Sequence, residues 1–368
     1  LRLRVILLSV AALCVAGAVP PARAESTRQL RVQLSGDPGR AFAVENLAGT
    51  MRVTAGATDA VVATATIHAE SEELAGAMRF EQVVDRRGVP TLRVRYPVDR
   101  HRVYRFGRSS SQSDRTWGWL EDFFGSFGGG NSFDYDGVRV RVSGNQGVMV
   151  YADVEVQVPR SAIEGSFRNR VGPLAADGVQ GRVRLDSGSG GIDVRGTDGQ
   201  VVADTGSGDV HAQNVRGSFV CDTGSGDCEI TGFRGEELNC DTGSGDVRIV
   251  DVEARRLKLD TGSGDVKVRE AQAEEVDADT GSGDVEADLA GAHLSRVNAD
   301  TGSGNVHLRL GPEAGFHVRA HTGSGDVVSH YADAEAIRDG RKVVGYRRGD
   351  GRIRIQADTG SGDVVVQP

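Results

Sequence analysis

The chain has 368 residues, 51 of them Gly, with 5% aromatic content and a formal charge of −9. A Gly share about twice the ordinary ~7%, without a Gly-X-Y period, excludes collagen, and 38% hydrophobic residues exclude wholesale disorder. The charge is uneven. Residues 1–170 carry 22 basic and 18 acidic side chains and the remainder 21 and 34, so the second half repels phosphate backbones and nucleic acid is not expected as a partner.

Residues 1–24 read as an export signal: Arg2 and Arg4, an apolar stretch from Val5 to Val19, and the small-x-small site Ala22-Arg23-Ala24. The apolar run is shorter than the ~20 residues that span a bilayer, so cleavage before Glu25 is expected rather than an uncleaved anchor. Leu13 before Cys14 suits lipoprotein processing poorly. No later segment is long and apolar enough to cross a membrane as a helix. The product is expected to be exported: periplasmic, associated with the outer surface, or secreted.

Residues 25–165 form an N-terminal β-rich segment. Phe42 to Val53 fits one strand–turn–strand unit, and Val61–His68, Thr91–Tyr96, Val138–Val142 and Val148–Val158 alternate apolar and polar residues. An aromatic and Gly-rich insertion, about 107–136, interrupts them. Trp117, Trp119, Phe123, Phe124, Phe127, Phe133 and Tyr135 all fall within it. Trp117, Leu120, Phe123, Phe124 and Phe127 recur at helical spacing, which predicts a short amphipathic flap or partner-docking segment, with Ser109 to Ser113 as a flexible arm.

Residues 166–368 are organised by a repeat. Asp-Thr-Gly-Ser-Gly-Asp-Val starts at Asp204, Asp241, Asp260, Asp279 and Asp358, with near-copies at Asp186, Asp222, Asp300 and His321. Successive copies lie 18 to 21 residues apart, except that 37 residues separate the last two, which predicts a degraded or expanded copy between Ser329 and Gln356. With the first Asp as position zero, apolar residues recur at −3, −1, +6 and +8: period two on both sides of a turn. One such unit cannot bury its apolar row alone, but stacking at the ~4.8 Å strand spacing makes the row continuous. The prediction is an all-β, single-stranded parallel β-solenoid of about ten to twelve coils. Its apolar columns face inward and its Asp rows outward, with Gly in each turn supplying positive φ.

These turns, with Glu45-Asn-Leu-Ala-Gly-Thr-Met-Arg-Val53 and Val156-Gln-Val-Pro159, resemble the bacterial putative-adhesin family of exported β-solenoid proteins, whose hallmark is serial Ser-Gly-Asp-Val/Ile turns. The resemblance covers roughly residues 29–368 apart from the insertion. It implies a cell-envelope or surface interaction module and no particular chemistry.

No catalytic, cofactor-binding or metal-ligating residue is singled out. Asp-Thr-Gly-Ser is also the aspartic-protease sequence, but copies stacked in one orientation give a ladder rather than the facing pair that shares a proton. Positions zero and +5 supply 15 Asp, which bond turn amides or, as the weaker alternative, bind calcium along the ladder. Cys221, Cys228 and Cys240 occupy core positions. Cys221 and Cys240 share a column within the bridging range of about 4.4–6.8 Å, yet stacked parallel side chains aim their sulfurs poorly, so free thiols are favoured over one bridge. Zinc lacks a fourth ligand. The function read here is a non-enzymatic envelope or surface module binding a protein or glycan, the alternative being a polysaccharide-acting enzyme on a β-helix.

Overall fold

A computed structural model of the chain describes residues 25–34, 39–57, 59–85, 87–106, 130–290 and 293–368. The signal segment, Cys14, the Ser109–Ser113 arm and the Trp117–Phe127 face lie outside them. The fold is all-β: of the described residues 66% are strand and 2% helix, in an open sheet rather than a barrel. Among the described residues one helix occurs, Glu72–Ala77, capped by Ser71, whose Oγ accepts from the Leu74 N–H at 3.2 Å. The described residues divide into two compact units, those up to Asp193 and those from Val194 onward.

In the first unit the segment Phe42–Val53 forms the expected strand–turn–strand. Its strands are Phe42–Ala48 and Met51–Ala55. On one side they pair in parallel with Ile163–Val171 and Leu174–Asp177, placing Val44 opposite Phe167 and Met51 opposite Leu174. On the other side they pair in parallel with Pro90–Arg95 and Val148–Val158. The earliest layer in sequence therefore lies between two later ones. Val61–Ala69 pairs antiparallel with Val148–Val158 and with Ser26–Leu34. Asn131–Tyr135 and Val138–Ser143 form a hairpin through Asp136-Gly137, both at positive φ (54° and 73°), the backbone that a two-residue hairpin turn demands. Tyr135, from the aromatic insertion, is buried and packs edge-on to Tyr96, which in turn packs edge-on to Tyr104.

The second unit is a ladder of parallel strands. Cys228–Thr242, Val247–Thr261 and Val266–Thr280 are each 15 residues long and run from the end of one turn to the start of the next. Their register is offset by one repeat: Val247 sits opposite Val266, Leu257 opposite Val276, Asp260 opposite Asp279. Side chains at −3, −1, +6 and +8 face inward, and Phe219, Leu238, Leu257, Val276, Val247 and Val266 are fully buried. These long strands turn a corner at position +10, where Asn214, Gly232, Asp251 and Glu270 all have φ between 53° and 74°. Asn, Gly and Asp are the residues that tolerate this left-handed backbone.

The turns depart from expectation in one respect. Their glycines are not at positive φ; they are required because adjacent turns approach closely. A Cβ on Gly224 would lie 2.4 Å from the Gly206 carbonyl oxygen, and one on Gly226 2.1 Å from that of Gly208. The Thr at position +1 is buried and joins successive turns. Thr242 Oγ1 donates to the Gly226 carbonyl of the preceding turn at 2.8 Å and accepts from the Gly245 N–H of its own at 3.1 Å. In the first unit Asn46, Asn169 and Ser187 hold the equivalent place.

The 37-residue gap holds no degraded copy. Residues 335–348 form an antiparallel hairpin, Glu335–Asp339 with Lys342–Arg348, that pairs antiparallel with Phe316–Thr322. The last copy, Ile353–Thr359 with Val364–Gln367, then returns and inserts between the two preceding copies. Ile353–Thr359 pairs in parallel with Arg296–Thr301 on one side and with Phe316–Thr322 on the other. The returning copy keeps every core position, so either neighbour is an equivalent template, and the hairpin carries the chain back to the open place.

Candidate functional site

Two rows of carboxylates flank the turns. The +5 row is occupied by backbone: Asp246 N–H donates to Asp227 Oδ1 at 2.8 Å, Asp265 N–H to Asp246 Oδ1 at 2.9 Å and Asp284 N–H to Asp265 Oδ1 at 2.9 Å. Each carboxylate thus satisfies a donor that the adjacent layer would otherwise leave bare. The zero row has Asp222, Asp241, Asp260, Asp279, Asp300 and Asp358 in direct register. Partial burial, and then the neighbouring carboxylates, raise Asp279 and Asp300 above the usual Asp range. All copies of Asp-Thr-Gly-Ser point the same way along this ladder, and no two face each other across a cleft as a protease pair requires.

Outside these rows the strand faces mostly alternate charge from layer to layer. Arg256 Nε bonds Glu275 at 3.0 Å, Arg255 Nε bonds Glu236 at 3.1 Å, and Arg309 lies 3.6 Å from Asp288. His211 Nδ1 is 3.2 Å from Glu229. This pairing of opposite charges across strands is ordinary sheet stabilisation.

The cysteines depart from the expected arrangement. Cys221 and Cys228 are joined in a disulfide across the turn of a single layer, with Cα atoms 6.8 Å apart, and Cys240 is a free, buried thiol. Positions −1 and +6 approach the same interior point from the two strands of one turn. Their side chains therefore converge, whereas Cys221 and Cys240 run parallel in adjacent layers. The three sulfurs lie within 4.8 Å of one another. Burial pushes the Cys240 thiol far above its ordinary value, which keeps it protonated and unreactive.

The first unit holds a constellation that no sequence spacing signalled. His68 stacks on Tyr151 with ring centroids 4.8 Å apart; its Nδ1 lies 3.0 Å from Glu25 and its Nε2 3.2 Å from Asp153. Burial lowers the His68 pKa, but the two carboxylates outweigh it and the net shift is upward. Thr50 Oγ1 donates to Asp153 at 2.9 Å, so the hydroxyl faces the carboxylate and not the imidazole. A nucleophile needs the base itself within reach, and this order places the acid between them. Nearby, Tyr96 donates to the Ala48 carbonyl, and Asn169 Nδ2 donates to the carbonyls of Gly49, Gly172 and Pro173. These buried groups close the layers as the Thr residues do elsewhere.

No curated protein matches the chain. Among solved structures, a putative cell adhesion protein from Clostridium sporogenes is 10% identical, with 93% of this chain and 99% of that chain covered at a TM-score of 0.19. A putative adhesin from Bacteroides fragilis is 10% identical, with 95% and 99% covered at a TM-score of 0.36. A putative lipid binding protein from Parabacteroides distasonis is 13% identical, with 92% and 96% covered at a TM-score of 0.35. A family model described as Toastrack DUF4097 matches residues 154–367, more than half of the sequence, and the chain belongs to that family.

Proposed function

We propose that the protein is an exported, non-enzymatic β-solenoid of about ten to twelve coils that serves as an interaction module of the cell envelope or surface. The observation that supports this best is the equivalence of the turns. From Asp222 to Asp300 each repeats the same backbone and side-chain bonds, so acidic groups are spread along a ladder instead of converging on one bond. Hydrolysis of a glycosidic bond needs one pair of carboxylates with distinct environments. A repetitive, polar, open face suits a long partner held at many weak contacts.

In this reading residues 1–24 are removed, residues 25–165 and 166–368 act as an N-terminal β-rich segment and a repeat solenoid, and no cofactor is needed. The alternative use of the zero-position row, calcium binding, predicts a melting temperature that rises with added calcium and falls with chelator; we expect neither change. The deciding experiment is a glycan array run beside a polysaccharide hydrolysis screen on the chain from Glu25 onward. Binding without turnover is expected, and release of new reducing ends from any polysaccharide would overturn the non-enzymatic assignment.

A further inference from the structure

Where like charges meet in register in the second unit, at Arg216–Arg234 and Arg248–Lys267, carboxylates bond Arg234, Arg248 and Lys267. A longer basic run differs. Four residues before the zero position, successive layers present Glu237, Arg256, Glu275 and Arg296 in register, opposite signs throughout. The inserted layer then sets Arg354 directly against Arg296, with His317 on its other side and Arg347 of the hairpin opposite His317. Four basic positions therefore follow one another at strand spacing, with Glu275 at one end and Glu335 opposite Arg347 at the other. Glu275 is bonded to Arg256. Like charges directly opposite each other destabilise a sheet, and had the layers stacked in chain order Arg296 would not meet Arg354.

A groove of about 430 Å³ opens along this column, lined by Arg296, Arg354, Arg319, His317, Asn298 and Gln356. The three Arg side chains are exposed; Arg296 feels Glu275, which is itself bonded to Arg256. Two residues along each strand the lining changes from charge to amide or a further guanidinium: Asn298, Gln356 and Arg319 in register. Two more residues along stand Asp300 and Asp358, the carboxylates of the zero row.

We infer that this groove binds a carboxylate-bearing polysaccharide, the Arg column taking the carboxylates and the amides the sugar hydroxyls. This rests on the proposed role as an interaction module and names a site and a ligand class for it. Guanidinium matches a planar carboxylate bidentately, and the amides of Asn298 and Gln356, which donate one hydrogen to Asp277 and Asp358, keep an oxygen and a second N–H for a hydroxyl. Arg residues at successive strand spacings suit a linear polymer with regularly spaced charge. The carboxylates of Asp300 and Asp358 at the rim oppose a denser polyanion such as nucleic acid. The groove also has no exposed apolar side chain with which to enter a bilayer, since Ile355 is buried.

The test measures binding of polygalacturonate to the chain from Glu25 onward by calorimetry, beside neutral dextran, double-stranded DNA and inorganic phosphate. The variants are Arg296→Ala/Arg354→Ala and, on another face, Arg309→Ala. Wild type and Arg309→Ala should bind polygalacturonate and not dextran, with affinity falling as salt rises. The double variant should lose at least tenfold in affinity while keeping its circular dichroism. Its melting temperature should not fall, because a like-charge pair has been removed. Absence of polygalacturonate binding, equal binding by the double variant, or equal binding of DNA or phosphate would overturn the groove assignment and leave the interaction-module reading standing. Turnover of bound polygalacturonate would instead overturn the non-enzymatic reading and leave the site.

Discussion

The buried Thr at position +1 is the residue on which the turns depend. Thr242 donates to one layer and accepts from its own, so its replacement by Val keeps the shape but leaves the Gly226 carbonyl and the Gly245 N–H without partners. Thr242→Val should cost about 1–3 kcal/mol in denaturant unfolding, more than a buried apolar swap of the same size. His68 predicts a pH dependence. Its pKa is higher folded than in a free His, so its stabilisation is complete below the ordinary value near 6.5 and is lost as pH rises through the raised folded value. Stability of the first unit should therefore decline from mildly acidic toward alkaline pH, and His68→Gln should remove that slope. A profile unchanged by the substitution would show that other groups set it. Glu270 is the exception among the corner residues, a long acidic side chain in a left-handed conformation usually left to Gly, Asn or Asp, and nothing in its surroundings explains the choice.

Among the elements, the long strands behave as the period-two pattern predicts. Val266 is fully buried between Val247 and Val285, so Val266→Asp should remove about 4 kcal/mol or more, read as a large fall in melting temperature. Strand identity and inward columns were legible because apolar alternation survives on both sides of each Gly-Ser-Gly. The reason for the glycines was not, because close approach between layers leaves the same residue choice as positive φ. The corner at +10 was legible in principle, since Asn214, Gly232 and Asp251 recur at one position, but Glu270 masks the column. The Cys221–Cys228 disulfide depends on the width of the turn, which spacing in sequence does not reveal. Under denaturing, non-reducing conditions the chain from Glu25 onward should react with one equivalent of thiol reagent, at Cys240. Three equivalents would show that the bridge is absent.

For the whole molecule the informative difference is between reading order and stacking order. Repeats that share one pattern can pair in any sequence, so nothing in the residues of Ile353–Gln367 announces that they belong between Arg296–Leu310 and Phe316–Ser329. The basic groove was hidden for the same reason: Arg296 and Arg354 are far apart in the chain and meet only through the insertion. Deleting residues 353–368 should therefore do more than shorten one end. Amides of Phe316–Thr322 should lose their protection from hydrogen exchange, while those of Val247–Thr261 keep theirs. Protection retained in Phe316–Thr322 would mean that it can dock on Arg296–Thr301 directly.

This arrangement also governs how such a chain can grow. Where reading and stacking order coincide, as from Asp222 to Asp279, duplicating a repeat adds a layer and leaves every other contact as it was. At the C-terminal end the bond from Asp363 N–H to Asn305 spans 58 residues, against 19 for its counterparts earlier in the ladder. Lengthening the segment between them raises the closure entropy only slightly, by roughly 0.6 kcal/mol per doubling. A duplicated last repeat, however, would find its place already filled. Tandem gain or loss of repeats is thus confined to the middle of the second unit, and the C-terminal end stays fixed while the length of the ladder changes.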